Sequence, residues 1–277
     1  MKTLAIQVFR PDGSSRLNFF SFLQKLKVRF MKASIDNFST SSAQYAQFRP
    51  DYPTELFEYL YSRVSNFDCA WDCGTGNGQV ALTLAERFAS VQATDLSANQ
   101  IANATPHPRV HYGVCRAEAS PFSAQQFDLI TVAQALHWFD FAAFNQEVKR
   151  VAKPGALIAV WGYGLLTINA EIDLLVQQFY TGVIDQYWDA ERHHIDEAYA
   201  NIPFPFAAIE KRTFSIEKHW NLAQLCGYLG TWSSVKKYIQ QHGEDPLAAL
   251  YPQLQKQWPE DAVLSVRFPI FLQTGIV

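Results

Sequence analysis

The segment Asp72-Cys-Gly-Thr-Gly-Asn-Gly78 decides the fold, because it joins a short apolar stretch to a stretch with helical periodicity. Residues 66–73 read as a buried strand, and residues 79–88 carry apolar side chains at helical spacing. Glycines let the backbone turn tightly and let a ligand lie against it, and the start of a helix offers free N–H groups. The segment therefore predicts a ligand-binding turn between a strand and a helix.

Outward from this turn, strand and helix patterns alternate five times. Further strands are predicted at 90–94, 109–114, 127–132 and 156–161, and a helix at 141–152. Such alternation indicates an α/β fold with a doubly wound, mainly parallel sheet. After Trp161 the alternation stops. The remainder predicts a helical cover over 165–205, a strand at 208–217, helices near 221–241 and 246–257, and a last strand at 262–272.

The predicted domain organisation is one domain over 38–277, preceded by an extension over 1–37. The domain divides into a cofactor-binding half (66–161), the cover (165–205) and a C-terminal part (206–277). Residues 1–30 carry six basic residues and one acid, whereas the other 247 residues carry 17 basic and 25 acidic ones. A basic helix on a membrane surface is one interpretation of the extension. A true start at Met31, with the extension outside the fold, is the simpler interpretation and the one we expect.

Composition narrows the class of partner. The chain has 277 residues, is 48% hydrophobic and 18% charged, and has no apolar run near the 18 or more residues that a membrane span needs. Residues 31–277 carry more acidic than basic residues and so lack the excess of basic residues that is typical of a nucleic-acid binder. The four cysteines form no Cys-x-x-Cys pair and are expected to be reduced, in neither a zinc site nor a disulfide. We therefore expect a cytoplasmic protein that acts on a small molecule, without nucleic acid, membrane or metal; its oligomeric state stays open.

Two other cofactor interpretations of the glycine turn fail. A dinucleotide fingerprint that starts at Gly74 needs a third glycine where Gln79 stands, and the Gly-Lys-Ser/Thr of a Walker phosphate loop is absent from the sequence. What remains is Asp-x-Gly-x-Gly-x-Gly, followed 17 residues after Gly78 by Asp95. An acid at that place can accept both hydroxyls of a ribose, and Asp72 suits a ligand with an ammonium group.

This pattern resembles motif I of class I S-adenosylmethionine-dependent methyltransferases. Three further elements, Arg49-Pro-Asp-Tyr-Pro53, His137-Trp-Phe-Asp140 and Gly230-Thr-Trp-Ser233, are similar to the small-molecule methyltransferase family that includes trans-aconitate methyltransferase. The resemblance covers about residues 38–275. It implies a Rossmann-like seven-stranded sheet with an antiparallel last strand, S-adenosyl-L-methionine as methyl donor and S-adenosyl-L-homocysteine as product.

The resemblance also implies roles for individual residues. The cofactor-binding set is Tyr45, Arg49, Asp72, Gly74, Gly76, Gly78, Asp95, Leu96, Ala117, Glu118 and Gln134. The substrate-binding set is Tyr52, Trp138, Trp161, Tyr163 and Trp232, each of which also fits an ordinary core aromatic. Arg116 departs from the wider superfamily, where many relatives have an acid for the adenine amine.

His137 is the candidate catalytic residue. A carboxylate acceptor is already ionised and needs no base, whereas a hydroxyl or amine needs one, and an ordinary histidine with a pKa of about 6.5 is suited to that role. We expect O-methylation of a carboxylate or hydroxyl on a small, acidic metabolite. N- or C-methylation, and S-adenosylmethionine binding without catalysis, are the alternatives.

Overall fold

The computed structural model describes residues 51–277. Within this range seven strands form a single sheet in the order β3-β2-β1-β4-β5-β7-β6. These strands are β1 (Cys69–Cys73), β2 (Ser90–Asp95), β3 (Val110–Val114), β4 (Phe127–Ala133), β5 (Ala152–Tyr163), β6 (Ala207–Trp220) and β7 (Leu264–Ile276). The helices of this range are α1 (Thr54–Arg63), α2 (Gln79–Leu84), α3 (Ala98–Ala102), α4 (Phe141–Val151), α5 (Ala170–Gln178), α6 (His193–Asp196), α7 (Leu222–Gly230), α8 (Ser233–His242) and α9 (Leu247–Gln257).

The pairing of the strands confirms the predicted fold class. Strand β1 pairs in parallel with β2 and β4, and β2–β3 and β4–β5 are also parallel. Strand β7 lies antiparallel between β5 and β6. From β1 the chain adds β2 and β3 on one side of the sheet, and it then returns to add β4 and β5 on the other side. The order of strands reverses between β1 and β4, and open α/β sheets bind ligands outside the carboxyl ends of the strands at such a point.

Strand β4 lies at the centre of the core, and all seven of its residues are buried. Its run of apolar residues is typical of a parallel strand that is covered on both faces. Leu129 packs into the cluster that contains Leu56 and Leu60 of α1, and Ile130 into the cluster on the other face with Phe144 of α4. Helices on both faces thus fix the strand ends that carry the candidate site.

The cover is helical, as predicted, but less regular than its composition suggests. After α5 the chain forms a π-helical turn at Phe179–Val183, then 3-10 turns at Asp185–Tyr187 and Ala190–Arg192, and then the short helix α6. The long strands β6 and β7 return from the cover to complete the sheet. In the described range, each helix falls short of the length or apolar character needed to cross a membrane. The predicted extension over 1–37 lies outside the described residues.

Candidate active site

The predicted cofactor-binding residues meet at one edge of the sheet. The glycine turn follows β1, Asp95 ends β2, and Gln134 follows β4. Because these strands are parallel neighbours, their carboxyl ends share that edge. The structure therefore brings together side chains that are up to 62 positions apart in the chain.

The glycine turn lies close to the residues that follow β4. The N–H groups of Gly74 and Thr75 donate to the carbonyl oxygen of Thr94 at 2.8 and 2.9 Å, which ties the turn to β2. Gly74 has a φ of +71°, and a Cβ added there would lie 2.5 Å from the Cβ of Ala135. Gly78 begins α2 in the left-handed conformation with a φ of +93°. The turn thus has the backbone shape that glycine permits and most side chains do not.

Asp95 fixes the turn from the neighbouring strand. Its Oδ2 accepts a hydrogen bond from the N–H of Gly76 at 2.9 Å, and its Oδ1 accepts one from the N–H of Ser97 at 2.8 Å. Both oxygens keep lone pairs that can accept further donors. Leu96 beside it is 41% exposed. The predicted cofactor contacts of Asp95 and Leu96 stay predictions.

Asp72 lies beneath the turn and is 1% exposed. Its carboxylate accepts hydrogen bonds from the hydroxyls of Thr75, at 2.5 Å, and Thr131, at 2.9 Å. These contacts stabilise the turn, while the predicted contact with an ammonium group stays a prediction. Sequence reasoning missed Asn77, whose buried Oδ1 has no hydrogen-bond partner within residues 51–277. A buried acceptor without a partner is costly, so this oxygen fits a donor from a ligand.

Glu118 ties its loop to the start of α4. Its Oε1 accepts a hydrogen bond from the N–H of Asp140 at 2.9 Å, and its Oε2 lies 3.3 Å from Nε of Arg116. Ala117 between them is buried. The side chain of Glu118 therefore has structural partners, and the predicted adenine contact of Ala117 and Glu118 stays a prediction.

Gln134 has a φ of +54°, which is uncommon for a residue other than glycine. Its N–H donates to the carbonyl oxygen of Trp161 at 2.9 Å, and its Nε2 donates to that of Tyr163 at 3.3 Å. A Cβ added to Gly162 would lie 3.0 Å from Gln134 Oε1, so the side chain is held close to the end of β5. Unusual backbone angles of this kind cluster at ligand sites.

His137 is buried and lies in a 3-10 turn after β4. Its Nδ1 lies 3.1 Å from the phenol oxygen of Tyr199, and its ring centroid lies 4.9 Å from that of Trp138. Burial, with smaller contributions from the charges of Arg192 and His194, lowers the pKa of His137 to about 3. The imidazole is therefore neutral at physiological pH.

The predicted acceptor-binding aromatics fall into two groups. Tyr52 and Trp161 are in edge-to-face contact at 5.6 Å, with Tyr163 two residues further along β5. Trp161 is fully buried, and its Nε1 has no hydrogen-bond partner among the described residues. Trp232 belongs instead to a cluster under the cover, together with Tyr180, Trp188 and Tyr228. Tyr45 and Arg49 lie outside the described residues.

Comparisons with known proteins identify the family to which the chain belongs. A family model described as a methyltransferase domain matches residues 71–160. A protein of Dictyostelium discoideum that is named as a methyltransferase is 33% identical over 245 residues, covering 86% of this chain and 93% of that protein. This chain belongs to the class I S-adenosylmethionine-dependent methyltransferases.

Two more relatives support the assignment of this chain to the methyltransferase family. A solved structure from Anaeromyxobacter dehalogenans, named as a type II methyltransferase, is 40% identical with a TM-score of 0.77, and the match covers 83% of this chain and 98% of that one. An uncharacterized methyltransferase of Mycobacterium tuberculosis is 32% identical over 129 residues, 45% of this chain and 51% of that protein. The narrower resemblance to trans-aconitate methyltransferase stays a prediction.

The methyltransferase uses S-adenosylmethionine as its methyl donor, and the residues present fit this cofactor. The positive φ angles of the glycine turn create a cradle that a Cβ would fill at Gly74, and Asn77 Oδ1 offers an unused acceptor beside it. Asp95 offers further acceptor capacity at the end of β2. Asn77 and Asp95 are therefore the residues that would accept hydrogen bonds from the cofactor.

Burial of neutral His137 predicts a pH dependence of the methyltransferase's stability. The unfolded chain takes up a proton on this imidazole near pH 6.5, whereas the folded chain does so only near pH 3. The free energy of unfolding should therefore fall as the pH falls below 6.5, by about 1.4 kcal/mol per pH unit from this group. Urea unfolding at several pH values between 7 and 5 should show a smaller decline for His137→Asn than for the wild type. The exposed His111→Asn serves as control, and equal slopes for all three proteins would contradict this interpretation.

Proposed function

We propose that this methyltransferase transfers the methyl group to a carboxylate oxygen of a small-molecule acceptor. The buried, neutral state of His137 carries this proposal. A group with a pKa of about 3 takes up a proton poorly at neutral pH, so it is a weak general base there. A carboxylate needs no base, because it is already ionised. An acceptor hydroxyl needs one, and is the less suitable substrate for this site.

In this proposal the residues of the site act by binding and alignment. S-adenosylmethionine supplies an electrophilic methyl group on a sulfonium and needs no metal for activation. The glycine turn and Asp95 hold the nucleoside, and Gln134 faces the end of β5 next to the cofactor. Alignment of two reactants in this way can lower a barrier by about 7–11 kcal/mol. His137 then acts as a positioning residue that holds Tyr199 and Trp138, rather than as a base.

The remaining roles are proposed on the resemblance and the composition. Tyr45 and Arg49 would cover the cofactor, with Ala117, Glu118 and Leu96 around the adenine. Tyr52, Trp138, Trp161, Tyr163 and Trp232 would bound the acceptor. The acidic charge of residues 31–277 supports a small molecule over a nucleic acid as the methyl acceptor. We also propose that the protein acts in the cytoplasm.

An acceptor screen tests the proposal. Purified protein is incubated with S-adenosylmethionine and a panel of small carboxylic acids, their amides and matching alcohols, and S-adenosylhomocysteine release is measured. We expect turnover with acids, and products that hydroxylamine cleaves, as it does methyl esters. We also expect kcat/KM to stay constant between pH 6 and 8, because the carboxylate is ionised throughout. A methylated product that hydroxylamine does not cleave would overturn O-methylation of a carboxylate. It would indicate that a hydroxyl, an amine or a carbon atom accepts the methyl group.

A further inference from the structure

The cover places a guanidinium among aromatic rings. Arg192 ends the 3-10 turn that precedes α6, and its side chain is 25% exposed. Its Cζ lies 5.0 Å from the ring centroid of Trp188 and 5.7 Å from that of Tyr180. Arginine stays charged at all physiological pH values. A full positive charge is therefore held against an apolar, aromatic wall.

The internal contacts of Arg192 use only one side of the guanidinium. Its Nε donates to the phenol oxygen of Tyr180 at 2.9 Å, and this phenol donates to both carboxylate oxygens of Asp196. Asp196 itself comes no closer to Arg192 than 3.7 Å, again at Nε. Within residues 51–277, the two terminal Nη groups have no hydrogen-bond acceptor. An ordinary structural ion pair would use the terminal groups. Here the two Nη groups, which together form the outer fork of the guanidinium, are left open.

The open fork lies near the candidate active site. The 3-10 turn Ala190–Arg192 packs against the 3-10 turn Leu136–Trp138, which contains His137 and follows β4. Trp188, which packs against the guanidinium, also contacts Trp232 at 5.6 Å between ring centroids. The Nε1 of Trp188 is buried and has no hydrogen-bond partner among the described residues. Two residues that touch each other, Arg192 and Trp188, therefore offer unused donors beside the aromatic cluster under the cover.

We propose that the terminal Nη groups of Arg192 bind an anionic group of the methyl acceptor. A guanidinium fork matches two oxygens of one carboxylate or phosphate, and such charge-assisted pairs are strong and directional. Tyr180 and Asp196 hold the fork in a fixed direction through Nε. The aromatic rings of Trp188 and Trp232 bound the apolar part of the same molecule. This inference rests on the proposed function and adds a residue that selects acidic acceptors.

The test combines substitution of Arg192 with matched ligands. S-adenosylhomocysteine-loaded enzyme is titrated calorimetrically with benzoate, succinate, their amides and phenyl phosphate. We expect an acid to bind and its amide to bind at least about 10-fold more weakly, since a hydrogen-bonded charge is lost. Stronger binding of phenyl phosphate than of the carboxylates would identify a phosphate as the anion. Failure of every acid and of phenyl phosphate to bind would overturn the proposal.

Variants separate a binding role from a structural one. Arg192→Gln should weaken binding of the acid, and raise KM for the acceptor found in the screen, by about 10- to 100-fold, while kcat changes less. Arg192→Lys keeps the charge but lacks the fork, so its affinity for the acid and its KM for the acceptor should lie between those of Arg192→Gln and the wild type. Affinity for S-adenosylhomocysteine should stay unchanged, which shows that the variants are folded. The control is Arg267→Gln, an exposed arginine that lies 3.9 Å from Glu217. Equal acceptor KM values for wild type and Arg192→Gln would overturn the inference and leave the proposed methylation standing.

Discussion

Replacement of Asp95 by alanine is expected to weaken binding of S-adenosylmethionine by about 100-fold. The carboxylate holds the N–H groups of Gly76 and Ser97, and it is the candidate acceptor for the ribose hydroxyls. Hydrogen bonds to a charged group contribute about 1.5–3 kcal/mol each, and about 2.8 kcal/mol corresponds to 100-fold in affinity. The substitution removes the ribose contacts and loosens the turn at the same time, so the effect should be among the largest in the protein.

Calorimetric titration with S-adenosylmethionine and S-adenosylhomocysteine measures this effect directly. Asp95→Asn keeps an acceptor oxygen for Gly76 or the ribose and should lose less affinity than Asp95→Ala. Glu260→Ala, an exposed acid between α9 and β7, is the matched control and should bind like the wild type. An affinity of Asp95→Ala within about threefold of the control would show that the ribose is bound elsewhere.

The position of Asp95 shows why this part of the site was predictable from the sequence. The glycine turn, α2 and β2 form one strand–helix–strand unit, and their geometry follows from local rules for such units. Gly74, Gly76 and Gly78 have the positive φ angles that their identity suggests. The central strand β4 was equally clear, because its apolar run fits a strand buried on both faces. The same rules place the carboxyl ends of these strands at one edge.

The acceptor side was much less predictable. Arg192, Tyr180 and Tyr199 lie in the cover, where the chain passes through a π-helical turn and two 3-10 turns instead of one periodic helix. Such short turns have no regular spacing of inward-facing residues, so hydrophobic periodicity in the sequence cannot show which side chains face the core. His137 illustrates the same limit. Its position after β4 predicted a place in the site, but its burial beside Tyr199 depends on a residue 62 positions further along the chain.

Gly74→Ala is expected to destabilise the fold by about 3 kcal/mol and to reduce binding of S-adenosylmethionine below detection. Two costs add at this position. A left-handed backbone costs a residue with a Cβ about 1–2 kcal/mol, and forcing extra volume into a packed site costs about 1–3 kcal/mol. The added Cβ would lie 2.5 Å from that of Ala135, so either the turn or the segment after β4 must move. Gln134 lies in that segment, and both sides of the cofactor cradle would shift.

Gly155→Ala separates these two costs, because Gly155 has a similar φ of +80° but no atom within 4 Å of an added Cβ. It should lose only the backbone part, about 1–2 kcal/mol, and keep full cofactor affinity. Urea unfolding and calorimetric titration of both variants give the comparison. If Gly74→Ala matches Gly155→Ala in both measurements, the turn yields without harm and the close approach to Ala135 is unimportant. If Gly74→Ala loses cofactor affinity but keeps its stability, the contact between the turn and the segment after β4 serves the cofactor rather than the fold. In that case the strand ends absorb the added methyl group by moving apart, and this movement opens the cradle between them.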